Sequence, residues 1–321
     1  MRVTVTVSLD DKYTAESGRV YLTGSQALVR LPLMQRRRDV AAGLNTAGFI
    51  SGYRGSPLGI YDLALWQAQK HLAANHIVFQ PAVNEDLAAT AVWGSQQVTL
   101  IGKSRYDGVF AMWYGKGPGV DRSGDPLKHG SFAGSSRYGG VLVLCGDDHA
   151  ARSSTVAHQS EHALIHFGMP ILNPAHVQDY LDLGLYGFAL SRYSGCWVGF
   201  KCVTDTIESS ASVAVDPDRV VIRTPDDFDM PPNGLNIQLG VWPLVAESRQ
   251  FEQRLVAAQA FVRANRLDRV TLGAPEGNRL GIVTTGKAWL DVLEALRHFG
   301  IDDARARELG IAVYKVAMPW P

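Results

Sequence analysis

The chain has 321 residues, 46% of them apolar and 19% charged, a balance that excludes disorder and collagen-like repeats and allows a sizeable core divided between about two domains. Lysine plus arginine equals aspartate plus glutamate at 31 each, so no global basic field points to nucleic acid and no charged tail to a membrane or a basic partner. The three cysteines, Cys145, Cys196 and Cys202, lie in apolar runs with no CxxC pair, which argues against a disulfide framework, a zinc ribbon or an iron–sulfur cluster and for a reducing, cytoplasmic setting.

Met1 to Asp10 alternates Val and Thr without the apolar stretch of a signal peptide, and no later segment reaches about 18 uninterrupted apolar residues. Short β-branched runs then alternate with segments of helical period, the punctuation of an α/β protein. Val20 to Leu22 reads as a strand, and Gly24 opens a helix through Leu44 that Pro32 should end or kink. Phe49 to Tyr53 is the next strand, followed by the turn GYRGSPLG (52–59), a helical stretch from Ile60 to Ala74 and a strand from His76 to Gln80. Asn84 is a good N-cap for a helix reaching Ile101, with Leu87, Ala88, Ala91, Val92, Ser95 and Val98 on one face. Asp107 to Trp113 and Gly140 to Cys145 are too apolar to have a wet face, as expected in a parallel sheet covered on both sides. Between them, residues 115–134 read as a Gly-rich loop. A helix around Val156 to Phe167, a strand at Ile171 to Asn173, a helix from His176 to Tyr193 and a strand from Cys196 to Val203 follow. From Arg223 to about Leu244 the Pro, Asp and Asn content marks a linker or covering loop. Glu247 to Arg266 is one periodic helix, and Leu280 to Thr285, Gly286 to Phe299 and Ile311 to Val316 spell strand, helix, strand. A βαβ pair cannot cover two sheet faces, so the protein is expected to continue beyond Pro321 or to receive the rest from a partner.

Several residues carry candidate chemistry. His158, Glu161 and His162 fit HxxEH, the spacing of two imidazoles one helical turn apart with a carboxylate between them for zinc-assisted hydrolysis. The bland reading is a helix face beside a polar cleft. Gly102-Lys103-Ser104 resembles the end of a phosphate loop, but Gln97 stands where its first glycine belongs. The stretch from Gly115 gathers Lys116, Asp121, Arg122, Asp125, Lys128 and His129 after the carboxyl end of an apolar strand, where open α/β sheets build their sites, and composition alone reads it equally as a solvated surface loop. Glu85 opens a helix with a small inner face, close after a turn whose Gly52, Gly55 and Gly59 allow near backbone approach and whose Arg54 can hold a carboxylate. Taken alone, Glu85 would only complement the helix dipole.

GSQA (24–27), GYRGSP (52–57), VNEDLAA (83–89) and GDDHAARSS (146–154), in this order and at these intervals, resemble the N-terminal pyrimidine-binding region of indolepyruvate ferredoxin oxidoreductase, of the thiamine-diphosphate-dependent 2-oxoacid:acceptor oxidoreductase family. The resemblance covers roughly residues 18 to 215. It implies a doubly wound parallel sheet over residues 1–222, a linker and covering helix at 223–277, and at 278–321 the incomplete beginning of a transketolase C-terminal-like domain. It also implies oxidative decarboxylation of a 2-oxo acid, indolepyruvate or another arylpyruvate, to an acyl-CoA, with electrons passing to ferredoxin or a similar acceptor. Glu85 then corresponds to the glutamate that hydrogen-bonds the aminopyrimidine and favours its imino tautomer, so that the ring nitrogen removes the C2 proton. Gly52, Gly55 and Pro57 would line the cofactor, Ser56 would stand for a hydroxyl near the substrate carboxylate, and Tyr53, Arg54, Lys116, Asp125 and His129 would face the substrate. Under this resemblance Asp147, Asp148 and His158 to His162 are structural groups at the site's edge rather than zinc ligands.

The family's GDG…N element for magnesium and diphosphate does not occur in the sequence, nor does a ferredoxin-type cysteine cluster. Thiamine diphosphate with its Mg2+, the iron–sulfur clusters and coenzyme A are therefore expected to depend on diphosphate-binding and electron-transfer domains of the same enzyme, on a longer chain or a partner subunit, within a homodimer. Two other readings stay open: a zinc metallohydrolase using His158, Glu161 and His162, and a non-catalytic α/β subunit that binds a catalytic partner.

Overall fold

The computed structural model describes residues 7–321. Six parallel strands form its central sheet: β2 (Thr46–Gly52), β3 (Ile77–Phe79), β4 (Gly108–Lys116), β5 (Val141–Asp147), β6 (Ile171–Leu172) and β7 (Trp197–Val203), in the spatial order β3-β2-β4-β5-β7-β6. Every residue of β5 is buried and every residue of β4 except Lys116, as the apolar runs required. Helices Gly24–Ala41 and Val177–Ser194 pack on one face around Leu28, Leu31, Tyr180 and Phe188. Helices Glu85–Gln96, Gly124–Ala133 and Glu161–His166 pack on the other around Ala88, Val92, Leu127 and Leu164. The sheet is thus α/β and wound on both faces. Cys145, Cys196 and Cys202 are free and buried in it.

The chain leaves β2 for β3 at one edge and returns to β4 on the other side of β2. The carboxyl ends of β2 and β4, at the paired residues Gly52 and Tyr114, therefore flank a switch point, the usual place for a crevice in an open α/β sheet.

Two smaller sheets complete the fold. β1 (Arg19–Thr23) pairs antiparallel with β8 (Ser210–Ala214), and β9 (Arg269–Leu272), β10 (Leu280–Thr285) and β11 (Ile311–Val316) run in the order β10-β11-β9. Neither β8 nor β9 was expected from the sequence. The last unit is bound to the central sheet: Lys315 Nζ lies 2.7 Å from Asp179 Oδ2 and 4.2 Å above the Trp289 ring, and the Asn173 amide donates to the Ala317 carbonyl.

Several sequence expectations are corrected. The helix at Gly24 runs unbroken through Pro32 to Ala41; Leu31 presses against Gly184 of the neighbouring helix, so tertiary packing overrides the missing hydrogen bond. Residues 117–133 are not a loop but two helices, Gly117–Arg122 and Gly124–Ala133. Ile60 to Ala74 divides into Tyr61–Gln67 and Gln69–Ala74. The Glu85 helix stops at Gln96 and buries Glu85, Ala88, Ala89, Val92 and Gln96, leaving Leu87 and Ala91 exposed. Only Glu161–His166 of the stretch from Val156 is helical. The periodic stretch at Glu247 is Pro243–Ser248, a π turn Arg249–Arg254 and Leu255–Asn265. Inside that π turn Arg254 is buried and donates to the carbonyls of Ser131, Phe132, Ala133 and Leu235, capping the Gly124–Ala133 helix; burial lowers its pKa to about 10.

Candidate active site

At the start of the Glu85–Gln96 helix, the Asn84 side chain accepts the Leu87 amide at 2.9 Å, the capping that its residue type predicts. The strand-to-helix connection is pinned to β2, because the amides of Gln80 and Ala82 donate to the carbonyls of Ile50 and Gly52. Trp113, fully buried in β4, donates its indole N–H to the Glu85 carbonyl at 3.0 Å. Glu85 itself is only 5% exposed. No described residue donates a hydrogen bond to its carboxylate, and Gly119 of the next helix covers it so closely that an added Cβ would stand 2.7 Å from both Cγ and Oε1. Asp86 holds that cover in place by accepting from Arg122 and Ser123.

The turn after β2 folds back over the ends of β4 and β5. A Cβ on Gly52 would overlap the Tyr114 backbone and ring, one on Gly55 would lie 2.7 Å from Lys116 Cδ, and Pro57 and Leu58 press on Gly146. Gly59 has no comparably close neighbour. Ser56 Oγ is hydrogen-bonded to Ser153 Oγ, so the GYRGSP and GDDHAARSS motifs meet. Tyr53 and Arg54 are exposed on the turn. The hydroxyls of Tyr61 and Tyr114 and one Asp62 oxygen are also buried, and burial pushes the Asp62 carboxyl up against the opposing pull of the Tyr114 hydroxyl.

Asp125 and His129 are placed differently from Lys116. His129 stacks on Trp93 at 5.8 Å, eight residues and so about 12 Å along the helix from Glu85. Its Nδ1 is hydrogen-bonded to the Asp125 backbone carbonyl at 3.0 Å and lies 3.3 Å from Asp125 Oδ1. A separate 390 Å³ apolar cleft opens there, lined by Trp93, Leu100, His129, Phe132, Leu239 and Arg249.

The HxxEH reading does not survive. His158 precedes the helix that holds Glu161 and His162, so the two imidazoles are not one turn apart. Glu161 is paired with Lys201 and His162 is exposed. Burial pushes the Glu161 carboxyl up, but the Lys201 ammonium outweighs it and the net direction is down. No group of three His, Cys, Asp or Glu among the described residues is arranged to hold a metal ion. Asp148 instead organises the 148–154 turn: the Ser153, Arg152 and Ser154 amides donate to it and lower its pKa. Sequence reasoning missed Lys201, Gly119, Ser153 and Asp62. A lysine inside the otherwise apolar run WVGFKCV was a usable signal for the first, since a buried lysine demands a carboxylate.

Comparisons with known proteins agree with this architecture. A family model described as the indolepyruvate oxidoreductase domain matches residues 269–321. The indolepyruvate oxidoreductase subunit IorA of Methanothermobacter thermautotrophicus is 24% identical over 303 residues, 92% of this chain and 44% of that protein, and the same subunit of Methanothermobacter marburgensis is 23% identical over the same lengths. The chain therefore spans less than half the length of these curated relatives. A solved 2-oxoglutarate:ferredoxin oxidoreductase from Magnetococcus marinus, with 2-oxoglutarate, coenzyme A and succinyl-CoA bound, matches the fold with a TM-score of 0.65 at 15% identity over 94% of this chain and 54% of that one. Motifs, family match and relatives point the same way, and the chain is similar to the 2-oxoacid oxidoreductases in sequence and shares the fold of one of them.

Proposed function

We propose that these residues supply the aminopyrimidine-activating half of a thiamine-diphosphate site in an enzyme that oxidatively decarboxylates 2-oxo acids to acyl-CoA and passes the electrons to ferredoxin or a similar iron–sulfur acceptor. The observation that carries the reading is Glu85, a buried carboxylate with no described donor, set at the carboxyl edge of a parallel sheet under a glycine. A carboxylate so placed fits a ring nitrogen that shares a proton with it. Thiamine diphosphate, when bound, supplies the carbanion chemistry that adds to the oxo group and takes up the electrons left when carbon dioxide departs.

This chain's own part is to position. Glu85 holds the proton, Gly119 keeps its carboxylate aimed, and Gly52, Gly55 and Pro57 shape the wall beside it. Arg54, exposed on the turn, is proposed to bind the substrate carboxylate, with Ser56, Tyr53 and Lys116 beside it. Asp125 and His129 belong in this proposal only as an outer rim. Indolepyruvate or another arylpyruvate is the proposed substrate, in keeping with the names of the relatives. Mg2+ with the diphosphate, the iron–sulfur clusters and coenzyme A are assigned to other domains of a dimeric cytoplasmic enzyme; no described helix is long and apolar enough to cross a membrane. The domain boundary is proposed at about residue 268, since β9 joins the last sheet and the family match begins at 269.

The decisive experiment uses the complete enzyme and follows reduction of an acceptor dye with indolepyruvate, phenylpyruvate, pyruvate and 2-oxoglutarate. Turnover is expected to favour the aryl substrates. Glu85→Gln should lower kcat by at least ~100-fold without unfolding the protein; a variant retaining near-normal decarboxylation would remove Glu85 from this role and favour a non-catalytic subunit.

A further inference from the structure

Beside the crevice runs a buried line of charged groups that the reading above leaves unused. Asp147, the last residue of β5, is fully buried. It accepts the Ser160 amide at 3.0 Å and hydroxyl at 2.6 Å, and Lys201 Nζ of β7 stands 3.2 Å away. Lys201 also pairs with Glu161. His158, with a side chain 13% exposed, lies between this group and the Gly117–Arg122 helix: its Nε2 is 2.9 Å from Asp121 Oδ2 and its Nδ1 3.6 Å from Asp147 Oδ1. The imidazole fills the space that a Cβ on Gly117 would need, and two residues on, a Cβ on Gly119 would stand 2.7 Å from the Glu85 carboxylate.

The Gly117–Arg122 helix has six residues, two glycines and a proline. So short and glycine-rich a helix does not hold its own place, and its neighbours set it. One end of the clamp is Glu85, reached through Gly119; the other is His158, reached through Gly117 and Asp121. We propose that His158 is a positioning residue, which grips this helix against β5 and thereby sets how the Glu85 carboxylate is aimed. The inference rests on the reading of Glu85 given above. Asp121 has a side chain 62% exposed, so its pair with the imidazole adds little to folding and its removal tests position more than stability.

The test compares the complete enzyme with His158→Gln, Asp121→Asn, the double variant and Glu85→Gln as reference. In cofactor-free enzyme, amide hydrogen exchange of residues 117–123 should rise severalfold in both single variants. With thiamine diphosphate bound, C2 hydrogen–deuterium exchange and kcat should fall about tenfold in His158→Gln, while KM for the oxo acid and calorimetric cofactor affinity stay within about twofold. The double variant should be no worse than His158→Gln, because both changes break one contact. Wild-type exchange in both single variants, alongside a collapse in Glu85→Gln, would overturn the role of His158 and leave the Glu85 reading standing. Unchanged C2 exchange in Glu85→Gln would instead overturn the reading itself and this inference with it. If His158→Gln fails to fold, Asp121→Asn decides the question alone.

Discussion

Glycines do much of the positioning at the residue scale. Gly119 leaves room for a buried carboxylate, Gly117 for an imidazole, and Gly130 for the Trp197 ring. Gly119→Ala forces a methyl to 2.7 Å from Glu85 Cγ and Oε1, so either the side chain or the helix must move. A displacement on the order of 1 Å at such a group costs up to ~100-fold in rate. Dye reduction by the complete Gly119→Ala enzyme is therefore expected to fall by about tenfold or more, with an unchanged circular dichroism spectrum; full activity would show that the carboxylate tolerates the shift. Glu85 was legible in the sequence because Asn84, the preceding strand and the GYRGSP turn all mark the same spot. Its cover was not, because nothing in the spacing of Gly119 says which side chain lies over it.

Among the elements, the two helices of residues 117–133 show why local propensity misled. GPGVDR and GDPLKHGSFA hold four glycines and two prolines, a turn-forming composition. They are helical because the glycines admit neighbouring rings and carboxylates, and because Arg254 caps the second helix from elsewhere in the chain. Pro118 in the first turn was the one local hint. The strands, by contrast, were readable almost throughout, since a fully covered parallel sheet writes itself as continuous apolar runs. β8 and β9 escaped because their alternating, half-exposed patterns are short. Helix-on-helix packing yields a magnitude argument at Gly184. Replacing it by Ala gains roughly 0.5–1 kcal/mol of helix propensity, but the new methyl overlaps the Leu31 side chain, and overpacking costs roughly 1–3 kcal/mol. Urea unfolding of Gly184→Ala should show a net loss near ~1 kcal/mol; a gain would mean that Leu31 repacks freely.

For the whole molecule, a buried ion pair joins the Val177–Ser194 helix to the last three strands. Lys315, 3% exposed, reaches across to Asp179, which also accepts the Ala175 amide. Removing the lysine leaves a buried carboxylate without its counter-charge, a change that costs about 3–5 kcal/mol. Lys315→Met should accordingly lower the thermal midpoint by several degrees, with proteolysis concentrated near residues 273–279 as the last unit loosens. An unchanged midpoint would mean that the backbone pairing of Ile171 and Asn173 with Trp320 and Ala317 suffices.

The three cysteines carry a practical consequence. Burial pushes all three thiols up, Cys145 and Cys202 well above the usual value, so little reactive thiolate is present at neutral pH and alkylating reagents find nothing to modify while the protein is folded. A cysteine introduced at Val83, 82% exposed and two residues before Glu85, would be the single reactive thiol of these residues. A fluorophore attached there would sit beside the mouth of the crevice and report, with no background from the native cysteines, when cofactor, substrate or a neighbouring domain closes over it.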